Sequence, residues 1–301
     1  MTDTNISFGA AGPDNVAPQQ DRVRSYWQLV RLRLRYDKVT LFFGAVIVAI
    51  VVLALLAPIL PLRDPLETNM VNRLKPVGHP GFILGTDELG RDILSRIVWG
   101  GRSSLLMGLL PVALAVLIGG GLGVLAGFMG GVVNMAIMRV MDVFYAFPSI
   151  LLAVAIAGAM GGGMLNGLLS LTIVFIPPLC RVAETATTQV RGLDFVEAAR
   201  ASGAGPVSII GTHILGNVLA PVFVYASGMV SVSILVASGL SFLGLGVAPP
   251  TPDWGLMLST LRQAIYVNPV VCAIPGIAIL ITSLSFNMLS DGLRQAMDVK
   301  M

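Results

Sequence analysis

Long runs without a single charge decide what this chain can fold into. Residues 39–62, 103–138 and 143–180 contain no Asp, Glu, Lys or Arg. A helix needs roughly 20 apolar residues to cross the hydrocarbon core of a bilayer. The runs predict spans at 39–62 and at about 103–128, two more within 143–180 divided by the glycines of GAMGGGMLNG, a fifth at about 219–245 and a sixth at 269–290. The fold class read from this pattern is all-α: a polytopic membrane protein of six transmembrane helices. Composition agrees. Only 12% of the 301 residues are charged, against about 25% in soluble domains.

An even number of spans places both termini on one side. Arg22, Arg24, Arg31, Arg33, Arg35 and Lys38 precede the first span, with only Asp21 and Asp37 among them. Basic flanks of this kind stay in the cytoplasm, so a cytoplasmic N-terminus is expected. Arg139, Arg181, Arg191, Arg200, Arg294 and Lys300 then also fall inside. The loop 62–102 opposes that count with Arg63, Arg73, Lys75, Arg91, Arg96 and Arg102. It also carries Asp64, Glu67, Asp87, Glu88 and Asp92, and is long enough to fold as a small extracytoplasmic cap. The expected division is a cytoplasmic tail 1–38 (disordered over 1–20, basic over 21–38), a transmembrane domain 39–291 and a cytoplasmic tail 292–301. No signal-peptide pattern precedes the first span, which is expected to serve as the insertion signal.

Several classes are disfavoured. A net charge of +3, concentrated at span ends, gives no nucleic-acid stripe. Cys180 and Cys272 lie inside apolar runs, without CxxC spacing, and read as buried side chains. His79 and His213 are isolated. No GxxxxGK[ST] occurs, so ATP binding in the P-loop manner needs another chain. A membrane enzyme would show a Ser/His, Asp/Asp or Glu/His constellation in its spans, and a secondary transporter would show buried carboxylates; neither pattern is present. A self-contained channel would need a repeated pore motif. In LIGGGLGVLAGFMGG, Gly119, Gly123, Gly127 and Gly131 recur every four residues. Small residues at that spacing let helices touch in lipid, either within this chain or against another membrane subunit.

The stretch DFVEAARASGAGPVSIIGTHILGNVLAP, residues 194–221, is unusually polar for its place between spans four and five. Asp194 and Glu197 have the D-x-x-E spacing of a capping box. Ala198, Ala199 and Ala201 favour helix, Gly203 suits a C-terminal cap, and Pro206 suits a helix start. The reading is helix, glycine break, helix, within an inner loop of 184–218. Such a loop is far longer than a connector requires. Its alanines form a thin ridge suited to a partner's groove. Asp194, Glu197, Ala198, Ala199, Arg200 and Gly203 are the candidate docking residues. Arg139 and Asp142, one helical turn apart at the inner end of span three, read either as a structural ion pair or as part of a gate. Pro148 is expected to kink that span.

The same stretch resembles the EAA signature of ABC-importer permeases, with Glu197, Ala198, Ala199, Gly203, Ile214, Leu215 and Pro221 in matching places. LGTDELGRDILSRIVWGGRSSL (84–105), MRVMDVFYAFPSILLA (138–153), LSFLGLGVAPPTPDWGLML (240–258) and FNMLSDGLRQAMD (286–298) resemble the dipeptide/oligopeptide (DppC/OppC-type) subfamily. One departure is Gly216, where similar permeases usually have proline. The resemblance implies a non-catalytic subunit of the bacterial inner membrane. Its partners would be a second homologous permease, two cytoplasmic ATPases that hold ATP and Mg, and an extracytoplasmic substrate-binding protein; this chain itself would hold no cofactor. It further implies that 194–208 is a coupling helix seated in an ATPase. Asp87, Arg91, Asp92, Asp253 and Trp254 are then candidates to touch the binding protein, or to serve folding instead as cap ion pairs, helix caps and anchors. Di- and oligopeptides lead as substrates, with nickel chelates, opines, glutathione or oligosaccharides as alternatives.

Overall fold

In a bilayer every backbone N–H and C=O must be satisfied within the chain, and the apolar runs meet this as helices. The computed structural model describes residues 26–297; the predicted N-terminal disorder over 1–20 and the charge of Lys300 lie outside them. No strand occurs among the described residues. Ten helices carry the fold: α1 (Tyr26–Tyr36), α2 (Lys38–Leu56), α3 (Ile93–Met129), α4 (Gly131–Tyr145), α5 (Ser149–Ala159), α6 (Met164–Arg191), α7 (Asp194–Ala201), α8 (Pro206–Phe242), α9 (Trp254–Leu261) and α10 (Pro269–Met297). Five of them, α2, α3, α6, α8 and α10, are long and apolar enough to cross a membrane, and a sixth span is reached only when the bent pair α4–α5 is counted as one.

The boundaries differ from expectation in informative ways. α2 stops at Leu56, because Pro58 and Pro61 follow. α3 starts ten residues before the predicted second span, at Ile93, where the Asp92 carboxylate accepts from Ser95 N at 3.0 Å; the loop between α2 and α3 is correspondingly shorter than the expected 62–102. The third span begins at Gly131 rather than 143 and is broken, not merely kinked. Phe147 precedes Pro148, a position where helix is disfavoured, and the axes of α4 and α5 diverge by 88°. The predicted glycine division holds: Gly161, Gly162 and Gly163 all have positive φ and turn the chain into α6. α6 and α8 run well beyond the predicted spans, so most of the expected loop 184–218 is helix continuous with its neighbours. α10 likewise continues past residue 290 to Met297.

Packing centres on α6 and α8. α8 lies against α10, α3 and α6, while α2 flanks α10 and α3. The expected glycine contact surface is internal to this chain. A Cβ on Gly119 would lie 2.6 Å from Ile176 O, and one on Gly127 2.7 Å from Glu184 O. Gly123 meets Cys180 O, with Ala183 Cβ at 2.7 Å. Three glycines at four-residue spacing thus rest on three α6 backbone positions at the same spacing, while Gly131 faces open space. Within α3, a π-helical turn at Val116–Gly120 begins the ladder. Cys180 and Cys272 are free and buried.

The ladder generates a contrast. Gly123→Val is expected to lower stability by about 1–3 kcal/mol, the cost of overpacking a close contact. Gly121→Ala, two residues away and facing open space, is expected to be neutral or slightly stabilising. Thermal unfolding of the purified protein in lipid nanodiscs checks the pair; equal effects would remove the ladder from the account.

Candidate functional site

α7 is a stub of eight residues, too short to be stable alone, so its surroundings must hold it. α6 ends at Arg191, whose Nη1 donates to Phe128 O at 3.0 Å and ties that end to α3. Leu193, not Asp194, is the N-cap of α7, and no side chain caps the helix. The predicted capping box is therefore absent: Asp194 is already the first helical residue, and its carboxylate favours the helix through the N-terminal dipole instead. The C-terminal end follows expectation closely. Gly203 has φ +83°, its N–H donates to Arg200 O at 3.0 Å, and Ala204 N donates to Ala199 O at 3.1 Å. These are the two hydrogen bonds of a Schellman cap, which requires left-handed backbone at the glycine. Pro206 then opens α8 at its first position.

One side chain anchors the stub. Val196 is fully buried, a contact worth about 1.5–3 kcal/mol, and Ala199 is half-buried beside it. Arg200 stacks over Phe128 at 5.6 Å, and Phe195 meets His213 at 6.0 Å. Everything else faces outward: Asp194, Glu197, Ala198, Ala201 and Ser202 are exposed, as is Val207 just beyond. The face on offer is a low alanine ridge with two exposed carboxylates, Asp194 and Glu197, in its first turn. It holds no nucleophile–base pair; what such a surface can do is seat in a groove. Gly216 lies ten residues into α8, just after a π-helical turn at Ile210–Ile214, with open space around it. The local irregularity leaves α7 untouched.

The expected Arg139–Asp142 ion pair is not formed. Arg181 Nη2, 39 residues on in sequence, donates to Asp142 Oδ1 at 2.5 Å, joining α4 to α6, and Arg139 is exposed. The Arg181 guanidinium also lies 5.0 Å over the Tyr145 ring. Both charged side chains are about half exposed (47% and 46%), so the pair is worth no more than about 1 kcal/mol.

The remaining candidates are buried. Asp87 accepts from Arg91 Nε at 2.6 Å and from Arg91 N at 2.9 Å, and Arg96 Nε lies 3.4 Å from the same carboxylate. Asp87, Arg91, Asp92 and Arg96 are between 2% and 7% exposed. They knit the cap 62–92 to the start of α3; Arg96 Nη1 also donates to Pro65 O at 3.0 Å. Asp253 caps α9, accepting from Leu256 N at 3.0 Å, and it accepts from Ser104 Oγ at 2.7 Å. Trp254 donates to Ser104 Oγ through its backbone N and to Ile97 O through its ring. This locks α9 onto α3. Asp87, Arg91, Asp92, Asp253 and Trp254 thus do the folding work that was their alternative reading. Sequence reasoning missed Ser104 and Arg181, the partners that explain Asp253 and Asp142, because each lies far off in sequence and only the fold brings it near.

With this geometry in place, comparison with known proteins decides the family. Residues 119–301 match the model described as binding-protein-dependent transport system inner membrane component, and 25–76 match the N-terminal transmembrane domain of oligopeptide transport permease C. The chain belongs to this permease family. The dipeptide transport system permease protein DppC of Alkalihalophilus pseudofirmus is 40% identical over 290 residues, 95% of each chain. The glutathione transport system permease protein GsiD of Pectobacterium atrosepticum is 38% identical over 93% of each. A chain of the methionine ABC transporter MetNI, solved in inward-facing conformations, superposes with a TM-score of 0.54 at 20% identity, covering 66% of this chain and 95% of that one; it shows a shared fold. The protein is thus a multi-pass permease subunit of an ABC importer, a class that works with ATPase and binding-protein components.

Two outcomes follow from the buried polar groups. Asp87→Ala is expected to cost about 3–5 kcal/mol, since it strands two buried guanidiniums, measured as loss of thermal stability. Burial pushes the Asp253 carboxyl above its ordinary value of 3.8, against the opposing hydrogen bond from Ser104. A carboxyl raised in the folded state lowers stability as pH climbs from its unfolded value through its folded one. Asp253→Asn is expected to abolish that acid-side slope and to cost less than Asp253→Ala, which also loses the cap, about 0.5–2 kcal/mol.

Proposed function

We propose that this permease forms half of a translocation pathway for di- and oligopeptides delivered by an extracytoplasmic binding protein. A second homologous permease forms the other half, and α7 is seated in one of two cytoplasmic ATPases. On this reading both termini and α7 face the cytoplasm of a bacterium, and the cap 62–92 faces outward. The chain catalyses nothing; ATP and Mg2+ reside on the ATPases. One observation carries the proposal: α7 presents an exposed alanine ridge, buries only Val196 fully, and joins the ends of the two helices at the centre of the bundle.

The mechanism is mechanical. ATP binding draws the two ATPases together, and each α7 travels with its groove. α6 and α8 are continuous helices leading from α7, so they tilt with it. Reversing a gate from about 1:99 to 99:1 requires roughly 5.5 kcal/mol of differential binding. A single exposed salt bridge from Glu197 gives at most about 1 kcal/mol, so the whole ridge must share the load. Peptide is favoured as the cargo class by the dipeptide permease at 40% identity. Glutathione, itself peptide-like, is the second reading, favoured by the glutathione permease at 38%.

The test uses the reconstituted transporter with its ATPases and binding protein. Glu197→Lys reverses a charge on the ridge. Gly203→Val forces a β-branched residue into left-handed backbone, at about 1–2 kcal/mol. Each variant is expected to insert normally yet to lose at least ten-fold in binding-protein-stimulated ATP hydrolysis and in peptide uptake. Wild-type uptake in both would rule out α7 as the seat. Normal coupling with a binding protein that ignores peptides would overturn only the cargo.

A further inference from the structure

A groove of about 1250 Å³ runs along the outside of the bundle between α2, α3 and the first residues of the 62–92 cap. Its floor and walls are apolar, with Val51 and Leu55 from α2 facing Leu106, Leu109 and Ala113 of α3. Its mouth is polar. Arg63 and Arg102 line it, and Asp64 is the single acid beside them. Asp64 Oδ1 already accepts from Leu66 N at 2.8 Å. Both arginines are exposed, and neither forms an ion pair among the described residues. Each is steadied over a ring, Arg63 over Phe82 at 4.4 Å and Arg102 over Trp99 at 5.4 Å. Trp99, also a lining residue, belongs to the residue type that marks a membrane–water boundary.

The geometry points to a binding site for one anionic phospholipid of the leaflet on the cap side, its headgroup phosphate between Arg63 and Arg102 and its acyl chains in the groove. Length supports this occupant. From Arg102 to Ala113 the helix rises about 16 Å at 1.5 Å per residue, half of a hydrocarbon core of about 30 Å. The groove is therefore one leaflet deep, with its charge at the headgroup level. Side-chain type supports it as well. Helices that meet in lipid do so through small residues that bring backbones together, as α3 and α6 do; the leucines here present a deformable wall suited to a flexible chain. Charge complementarity selects the headgroup: two unpaired guanidiniums against one carboxylate favour an anion. The site is independent of what the importer carries.

The experiment transfers the transporter from its membrane into nanodiscs containing phosphatidylglycerol or phosphatidylcholine, each with the same photoactivatable acyl chain, and maps the labelled residues by mass spectrometry. Labelling is expected at 105–113, strongly with phosphatidylglycerol and weakly with phosphatidylcholine. A basic residue near a membrane surface contributes about 1 kcal/mol toward anionic lipid, or about five-fold. Arg102→Gln is therefore expected to cut labelling about five-fold and Arg63→Gln/Arg102→Gln about 25-fold, with Arg102→Lys retaining most of it. Equal labelling by both lipids, or no loss in the double variant, would overturn the site. So would Leu106→Cys cross-linking efficiently to a cysteine in a second permease, since protein would then cover the groove. Should the double variant fail to assemble, the headgroup comparison and the Lys/Gln contrast at Arg102 decide alone.

Discussion

The glycine ladder between α3 and α6 is the contact on which the rest of this architecture depends. Lipid tails are as apolar as leucine, so no hydrophobic force presses helices together in a bilayer, and association rests on close packing. Gly119, Gly123 and Gly127 supply it by letting one backbone lie on another at Ile176, Cys180 and Glu184. Its end nearest α7 is reinforced by polar contacts: Asn134 Nδ2 of α4 donates to Glu184 Oε1 at 2.6 Å, and Arg191 reaches Phe128 O. α6 is thereby held to α3 from Ile176 to Arg191, and α7 follows directly from the end of that packed pair.

Rigidity on one side of α7 and economy on the other suit a lever. The stub is attached by a Schellman cap, one buried valine and two ring contacts, while its polar and alanine surfaces stay free. A helix buried in its own bundle could not be gripped from outside. One with no anchor would rotate without moving α6 or α8.

The charged residues divide between two regimes. On the cap side one set is buried and used for folding: Asp87 serves two arginines, and Asp253 joins α9 to Ser104. Burying charge is costly unless the pairing is complete, which fixes the cap's conformation. Near α4 and α6 the Asp142–Arg181 pair remains half exposed and correspondingly weak. The arginines at the mouth of the α2–α3 groove belong to neither group, since no carboxylate in the described chain claims them.

The sequence by itself determined the class of fold, five of the spans and the place of the short helix α7. Those features are written in local terms: charge-free runs long enough to cross a bilayer, Gly203 and Pro206 at positions whose backbone demands them, and alanines between. Glycine spacing at 119, 123 and 127 likewise announced a helix contact, though not its partner. Only the tertiary structure decided what the polar residues do. Asp142 pairs with a residue 39 positions away rather than with the arginine one turn back, and Asp253 is satisfied by a serine 149 positions away. Even the cap of α7 shifted by one residue, to Leu193. Backbone conformation is set by neighbours along the chain, which a sequence displays. The pairing of charges is set by neighbours in space, and at such separations those exist only once the helices have packed.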